Sequence, residues 1–483
     1  MTERFSSRLL PTCLALLVAM AACASAAPLK RRGEAGRYSG YMDLATRAVN
    51  LTRIREHAEA LLSLGNRELA ASYVSQCLAR LGLRVWRQSY TVPVPQDENS
   101  TLEILSPVRR AVRVYALPPN AAETCSCDVQ GELVYVGRGE LSDLRSASVA
   151  GKVVLMDLDS GYNWLLAASL GARAVLFVER PGARAEEYAS KYLADAPLRF
   201  PRALVKLEEA RRLISLLKRG RVLVRLRLRV RWVMANLTNV LAVIPGERGG
   251  EALLIAASYD SRVPLPALAV DERSAASTAA LLELAKLLAR GRPLRTVFIA
   301  ALSGSALGMA GARALAESLI RAYGPLGSAR DQLKVALILD LPPAPAGALL
   351  LAQGGFYGDF GWERAPVRSG LESLLTYLTS VGEYRQADGL YVVCGRAYRV
   401  RLLPSYWASL RHSSVVPRPV HVAEVLNYAG LPAVTLYAPE GAPAAEWEEL
   451  RAYLELACFI AYSLANAPSG LAERVGAGGR WWG

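Results

Sequence analysis

Asn239-Val240-Leu241-Ala242-Val243-Ile244-Pro245-Gly246 is the stretch on which the fold turns. Its apolar run from Val240 to Ile244 is too short for an ordinary helix and is closed by Pro-Gly, so it reads as a strand buried on both faces. A second such run follows at Ala252–Ala257. Then come a long helical stretch at Ser274–Leu288, an apolar strand at Leu294–Leu302 and another helix at Gly308–Tyr323. Val335–Leu341 and Ala433–Tyr437 add further apolar strands. Strands that alternate with helices predict an α/β fold: a mixed, mostly parallel sheet covered by helices on both faces.

Working outward toward the N-terminus, Tyr41–Leu81 reads as two helices. Leu61, Leu62 and Leu64 close the first, and Gly65-Asn66 marks the break. Val85–Val94 then looks extended. From Thr101 to Val233 the pattern changes to short β runs separated by turns, such as Gly131–Gly137 and Gly151–Met156. A chain of 483 residues exceeds what one core usually fills. The expected organisation is therefore a discontinuous α/β domain of residues 38–100 and 234–468, a β-rich unit at 101–233, and a C-terminal tail at 469–483.

Arg225, Arg227, Arg229 and Arg231 alternate with Leu226, Leu228 and Val230. A period of two places the arginines on one strand face and the aliphatics on the other. One reading is a solvated face over a core. The other is contact with an acidic glycan, lipid headgroups or nucleic acid, in keeping with a net charge of +14. Stacking aromatics are not interleaved with the basic residues, which speaks against specific nucleic-acid binding.

Residues 1–27 read as a secretory signal peptide, with Arg4 and Arg8, an apolar run from Leu9 to Ala22, and the small-residue cleavage site Ala24-Ser25-Ala26. Met20-Ala21-Ala22-Cys23 also approximates a lipoprotein box, which would anchor the chain through Cys23. The expected location is secreted or at the cell surface or envelope. No later stretch reaches the roughly 18–20 apolar residues of a membrane span. With 52% hydrophobic and 21% charged residues the composition excludes a disordered chain. Cleavage would leave Cys77, Cys125, Cys127, Cys394 and Cys458, an odd number, so at least one thiol is free or pairs between chains. Cys125-Ser126-Cys127 is not a zinc knuckle, because no second pair stands at ligand spacing. Sequons at Asn50, Asn99 and Asn236 are compatible with a glycoprotein.

Taken in order, several phrases resemble the zinc-dependent aminopeptidase and glutamate carboxypeptidase family, in the form that carries an inserted protease-associated domain. They are Gly65-Asn66-Arg67 with Leu81-Gly82-Leu83, the 239–246 stretch, Ala280-Leu281-Leu282-Glu283-Leu284-Ala285, Gly308-Met309-Ala310-Gly311-Ala312 and Ala429-Gly430-Leu431-Pro432-Ala433. The β-rich unit has its own likeness in Leu133–Gly137, Val149–Leu155 and Leu170–Val175, which identifies residues 101–233 as the inserted domain. The resemblance implies two zinc ions bridged by one carboxylate, with a further Glu acting on a metal-bound water.

Carried over position by position, that constellation is incomplete. Where the family has His-x-Asp the chain has Ser258-Tyr259-Asp260, which keeps only the supporting carboxylate of Asp260. The bridging Asp aligns with Arg273, and Asp271 substitutes only if the loop is shifted. The Glu pair that supplies base and ligand is Ser305-Ala306. Asp340 is retained. The final His aligns with Ala423, with His421 two residues away. The metal candidates are therefore Asp271, Asp340 and His421, against losses at Ser258, Arg273, Ala306 and Ala423. The retained aspartates have an alternative role as caps of helices and turns.

Three functions compete. The first is a pseudo-peptidase, an exported binding or assembly protein for a protein or peptide ligand with no bound cofactor. It would be degenerate in the manner of nicastrin and the transferrin receptor, and Asp260-Ser261-Arg262 resembles nicastrin at that position. The second is an active metalloexopeptidase, aminopeptidase or carboxypeptidase, with a remodelled zinc site, or a serine hydrolase using Ser305 in Ser303-Gly304-Ser305-Ala306. The third is a binder of acidic polymers through the arginine strand.

Overall fold

The computed structural model describes residues 43–466 except 48, 118–125, 181–186, 189, 192–198, 262–268, 324–332, 344, 346–348, 354–355, 359–360, 364–383, 386–389, 394–395, 405–421, 430, 432 and 439–446. Two helices come first, α1 (Leu51–Ser63) and α2 (Arg67–Arg80). Gly65 between them has φ 58°, the left-handed turn that glycine tolerates best, and Asn66 caps α2 by accepting from the amides of Glu68 and Leu69.

Strand β1 (Arg84–Asp97) leads into a seven-stranded closed barrel. Its strands are β2 (Thr101–Ser106), β3 (Arg110–Ala116), β4 (Cys127–Tyr135), β5 (Val153–Asp157), β6 (Ala174–Val178), β7 (Arg202–Val205) and β8 (Val222–Leu228), in the order β2-β3-β7-β6-β5-β4-β8. Helices α3 (Leu141–Ser146), α4 (Asn163–Ser169) and α5 (Leu207–Leu217) pack on it. The barrel closes because β8 pairs with both β2 and β4, a closure the period-two pattern alone did not predict. Along β5 and β6 successive residues enter opposite cores: Val153, Leu155, Ala174 and Leu176 join α5, whereas Val154, Met156, Val175 and Phe177 join Trp164 of α4.

Beyond the barrel, β9 (Val230–Ile244) returns alongside β1, antiparallel over the whole of β1 from Arg84↔Val243 to Asp97↔Val230. The barrel is thus carried on adjacent strands of the large sheet. That sheet continues with β10 (Arg248–Ser258), α6 (Glu272–Gly291), β11 (Arg295–Leu302), α7 (Ala310–Tyr323), β12 (Leu333–Asp340) and β13 (Leu349–Gln353). A hairpin of β14 (Phe356–Gly358) and β15 (Gly361–Glu363) stands apart. Then follow β16 (Tyr384–Arg385), β17 (Leu390–Val393), β18 (Arg396–Pro404), α8 (Val422–Tyr428), β19 (Ala433–Tyr437) and α9 (Leu450–Asn466).

The strand order is β1-β9-β11-β10-β12-β19-β13-β18-β17-β16. Among the described residues the four central strands β11, β10, β12 and β19 are parallel, and β13 pairs parallel with β18. The remaining neighbours are antiparallel. The expectation of a mostly parallel sheet therefore holds for the centre and needs correcting at the flanks. β16, β17 and β18 are consecutive antiparallel neighbours whose connections are too short for a helical crossover.

Both faces of the centre are covered, and the alternation is visible residue by residue. Val240, Ala242 and Ile244 face a core with α1, α2, α6 and α9, whereas Leu241 and Val243 face α7 and α8. No helix among the described residues is long and apolar enough to cross a membrane.

Candidate functional site

Open α/β sheets bind ligands outside the carboxyl ends of their parallel strands. Here the ends of β10, β12 and β19, the loop after β11 and the start of α6 surround a cavity of about 20 Å³. Ser258, Asp260, Arg273, Ser277, Asp340 and Thr435 are among its walls. A space of that size holds about one water molecule.

Arg273 occupies the centre. It stands on the first turn of α6, is 3% exposed, and donates from Nη1 to the Asp340 carbonyl at 3.0 Å and to Asp340 Oδ1 at 3.3 Å. Its Nη2 donates to the Ala438 carbonyl at 3.0 Å, and the guanidinium lies 4.9 Å from the Tyr437 ring centroid. One side chain thus ties together the ends of the parallel neighbours β12 and β19. This planar fork with an aromatic face matches arginine and has no equivalent in lysine.

The second cluster surrounds Asp260, which is 1% exposed. Its Oδ2 accepts from the Gly304 amide at 2.6 Å, and its Oδ1 accepts from the Ser305 amide at 3.1 Å and the Ser305 hydroxyl at 2.8 Å. Arg67 Nε lies 3.4 Å away. Burial pushes the carboxyl up from its usual range, and Arg67 and the Gly304 and Ser305 donors oppose that shift. The loop is held from its other side too. Tyr90 and Ser303 share a hydroxyl contact of 2.7 Å, and the Ser303 amide donates to Asn239 Oδ1 at 3.0 Å. Asn239 in turn donates to Gln88 and to the Gly311 carbonyl. Asp260 is therefore the brace of a loop whose Gly304 has φ 73°.

Asp271 is the N-cap of α6. Its Oδ1 accepts from the amide and the hydroxyl of Ser274, both at 2.7 Å. Ser258 and Asp340 share the cavity with Asp260 and Arg273, whereas Asp271 is not among its walls. Ala306 lies in the 3-10 turn after β11, and Ala423 is buried on α8. His421 and His412 lie outside the described residues. His57, on α1, contacts the Tyr73 hydroxyl through Nδ1 at 2.8 Å. Among the described residues no three His, Cys, Asp or Glu side chains gather as a metal-binding group.

Among the described residues this donor set does not gather as a two-zinc centre: Asp340 accepts from Arg273 and Asp271 from Ser274. The Ser305 hydroxyl donates directly to Asp260, and among the described residues no imidazole contacts it.

Sequence reading did not foresee the parts of Arg67, Tyr90 and Thr435. Only Arg67 left a trace, as the residue after the Gly65-Asn66 break. The arginine strand is already engaged with acids. Arg225 forms a two-pronged pair with Asp128 at 2.7 and 2.6 Å, Arg227 lies 3.4 Å from Asp128, and Arg231 lies 2.6 Å from Glu98. Arg229 is exposed.

Residues 239–357 match the model of Peptidase family M28. No curated protein matches the chain significantly. Among solved structures, BSAP, a zinc aminopeptidase from Bacillus subtilis, is 17% identical at a TM-score of 0.54, with 89% of this chain and 97% of that chain covered. A Peptidase M28 precursor from Shewanella amazonensis is 17% identical at a TM-score of 0.53, with 90% of this chain and 98% of that chain covered. At such identity the likeness is one of fold. Over about nine-tenths of its length the chain shares the fold of these peptidases, and residues 239–357 carry the sequence resemblance to Peptidase family M28.

Proposed function

We propose that this chain is an exported, catalytically defective homologue of the zinc aminopeptidases that acts as a binding or assembly protein for a protein or peptide ligand. The barrel is, in this reading, the inserted protease-associated domain, and the chain works in the secreted or envelope space without a bound metal. The observation that carries the reading is Arg273, buried where the resemblance places a bridging carboxylate and tied to Asp340 and Ala438.

The electrostatics support it. Two unit charges 4 Å apart interact by about 4 kcal/mol at an effective dielectric of about 20, so a divalent ion at that distance from the guanidinium would meet roughly twice that repulsion. The alternative of an active metalloexopeptidase with zinc held by Asp271, Asp340 and His421 would place the metal on two carboxylates that already accept from Arg273 and from the α6 cap through Oδ1. Two measurements on the purified chain test the proposal. Elemental analysis should find no stoichiometric zinc, and aminoacyl and dipeptide reporters should not turn over after zinc is added. Two tightly held zinc ions per chain, or zinc-dependent turnover, would refute it.

A further inference from the structure

We propose that the groove between α5 and the β2–β3 hairpin of the barrel binds an acidic segment of a partner protein through its aliphatic side chains. The groove has a volume of about 420 Å³ and lies far along the chain from the Arg273 centre. Such a volume is in the range of pockets that hold organic ligands, about 300–1,000 Å³. Its floor is apolar: Ile104, Val112 and Leu213 are buried there, and Val108 at the hairpin tip is 62% exposed.

Its rim is cationic. Arg110, Arg211, Arg212 and Arg219 line it together with Glu209, and Arg212 also pairs with Glu208. Glu209 is shared, with Arg110 at 2.9 Å and Arg212 at 2.8 Å. Arg211 and Arg219 are exposed and have no ion pair among the described residues. In the arginine strand, by contrast, Asp128 and Glu98 answer three of the four arginines.

An occupant must therefore offer carboxylates to the rim and aliphatic groups to the floor. A peptide with interleaved acidic and aliphatic residues does both. A sulfated or carboxylated glycan would satisfy the rim and leave Val108 in water. The net charge of +14 would also speed the encounter with an acidic partner.

The test uses the full chain and a short fluorescein-labelled peptide of alternating leucine and glutamate, read by anisotropy. Beside it run a charge-matched peptide with serine for leucine and a heparin oligosaccharide. The expected result is saturable binding of the leucine peptide that weakens roughly tenfold in the Arg211→Glu, Arg219→Glu double variant. It should also weaken in Val108→Asp, while the serine peptide binds distinctly less well. All three substituted residues are exposed, and an unchanged thermal transition checks that each variant is folded. No saturable binding, binding that ignores these substitutions, or equal or tighter binding of the serine peptide or heparin would overturn the proposal. None of these outcomes bears on zinc content or turnover, so this inference and the reading of the Arg273 centre fail separately.

Discussion

Arg273→Met is the perturbation on which the structure makes its sharpest demand. Methionine keeps a long side chain of similar reach and removes the guanidinium. Lost with it are the hydrogen bonds to the Asp340 carbonyl, Asp340 Oδ1 and the Ala438 carbonyl, and the stacking on Tyr437. Hydrogen bonds to a charged group contribute about 1.5–3 kcal/mol each, but part of that returns as the site relaxes. Removing one partner of a buried ion pair costs about 3–5 kcal/mol, because the remaining charge loses its counterion. At about 2.1 cal/mol/K per residue the roughly 300 residues of the α/β domain shift by about 1.6 °C per kcal/mol, so its transition should fall by roughly 5–8 °C. Scanning calorimetry is the assay. The double variant Arg273→Met, Asp340→Leu should recover much of the loss, since replacing both members of a buried pair with apolar groups is often close to neutral. A fall of less than about 2 °C in the single variant would refute the claim that Arg273 clamps β12 to β19.

Other predictions follow from particular contacts. Lys191 is fully buried in the barrel with Nζ near Ser160 Oγ at 3.2 Å, the Gly161 carbonyl at 2.7 Å and the Phe177 ring, and Arg202 donates to its carbonyl. Burial pushes its amine down to about 7, against the pull of Glu187 and Asp159. The unfolded chain keeps that proton up to about pH 10.5. Between pH 7 and pH 10 the unfolded state therefore binds more protons, and stability rises with pH by up to about 1.4 kcal/mol per unit. Thermal midpoints of the wild type minus those of Lys191→Met should climb across that window; a flat or falling difference contradicts the reading. Gly311→Ala should destabilise, because a Cβ would stand 2.3 Å from the Ser303 carbonyl and 2.4 Å from Asn239 Oδ1. Helix propensity favours alanine by about 1 kcal/mol, and overpacking of about 1–3 kcal/mol should reverse the sign; a raised midpoint would show that the loop yields. Ser305→Ala should lower stability by about 1 kcal/mol through the lost bond to Asp260 and change no hydrolytic rate.

The centre of the fold was legible because each buried strand carries its own signal. Val240–Ile244 and Ala252–Ala257 are apolar at every position, which only a strand covered on both faces requires, and the two cores receive alternate residues of each. The flanks were not. β13 to β17 are short, and the directions of β13 to β18 depend on which neighbours they meet, which no local period encodes. Barrel closure was hidden for the same reason: β8 shows an alternating pattern whether or not its second edge finds a partner.

The site divides along a different line. That an arginine stands where the resemblance implies a carboxylate is visible in the letters, but they did not reveal that its guanidinium would clamp two strand ends. Asp260 shows why residues can persist when the chemistry around them changes. It accepts from two backbone amides and a hydroxyl of the loop after β11, and Arg67 lies within ion-pair range. Losing it would leave those buried amides without their acceptor, at a cost of about 1–3 kcal/mol per unsatisfied group, whether or not a metal ever bound nearby. Asp271 at the cap of α6 and Asp340 under Arg273 obey the same logic. The structural role of each carboxylate is thus read from the neighbour it accepts from, a backbone amide or hydroxyl for Asp260 and Asp271 and a guanidinium for Asp340.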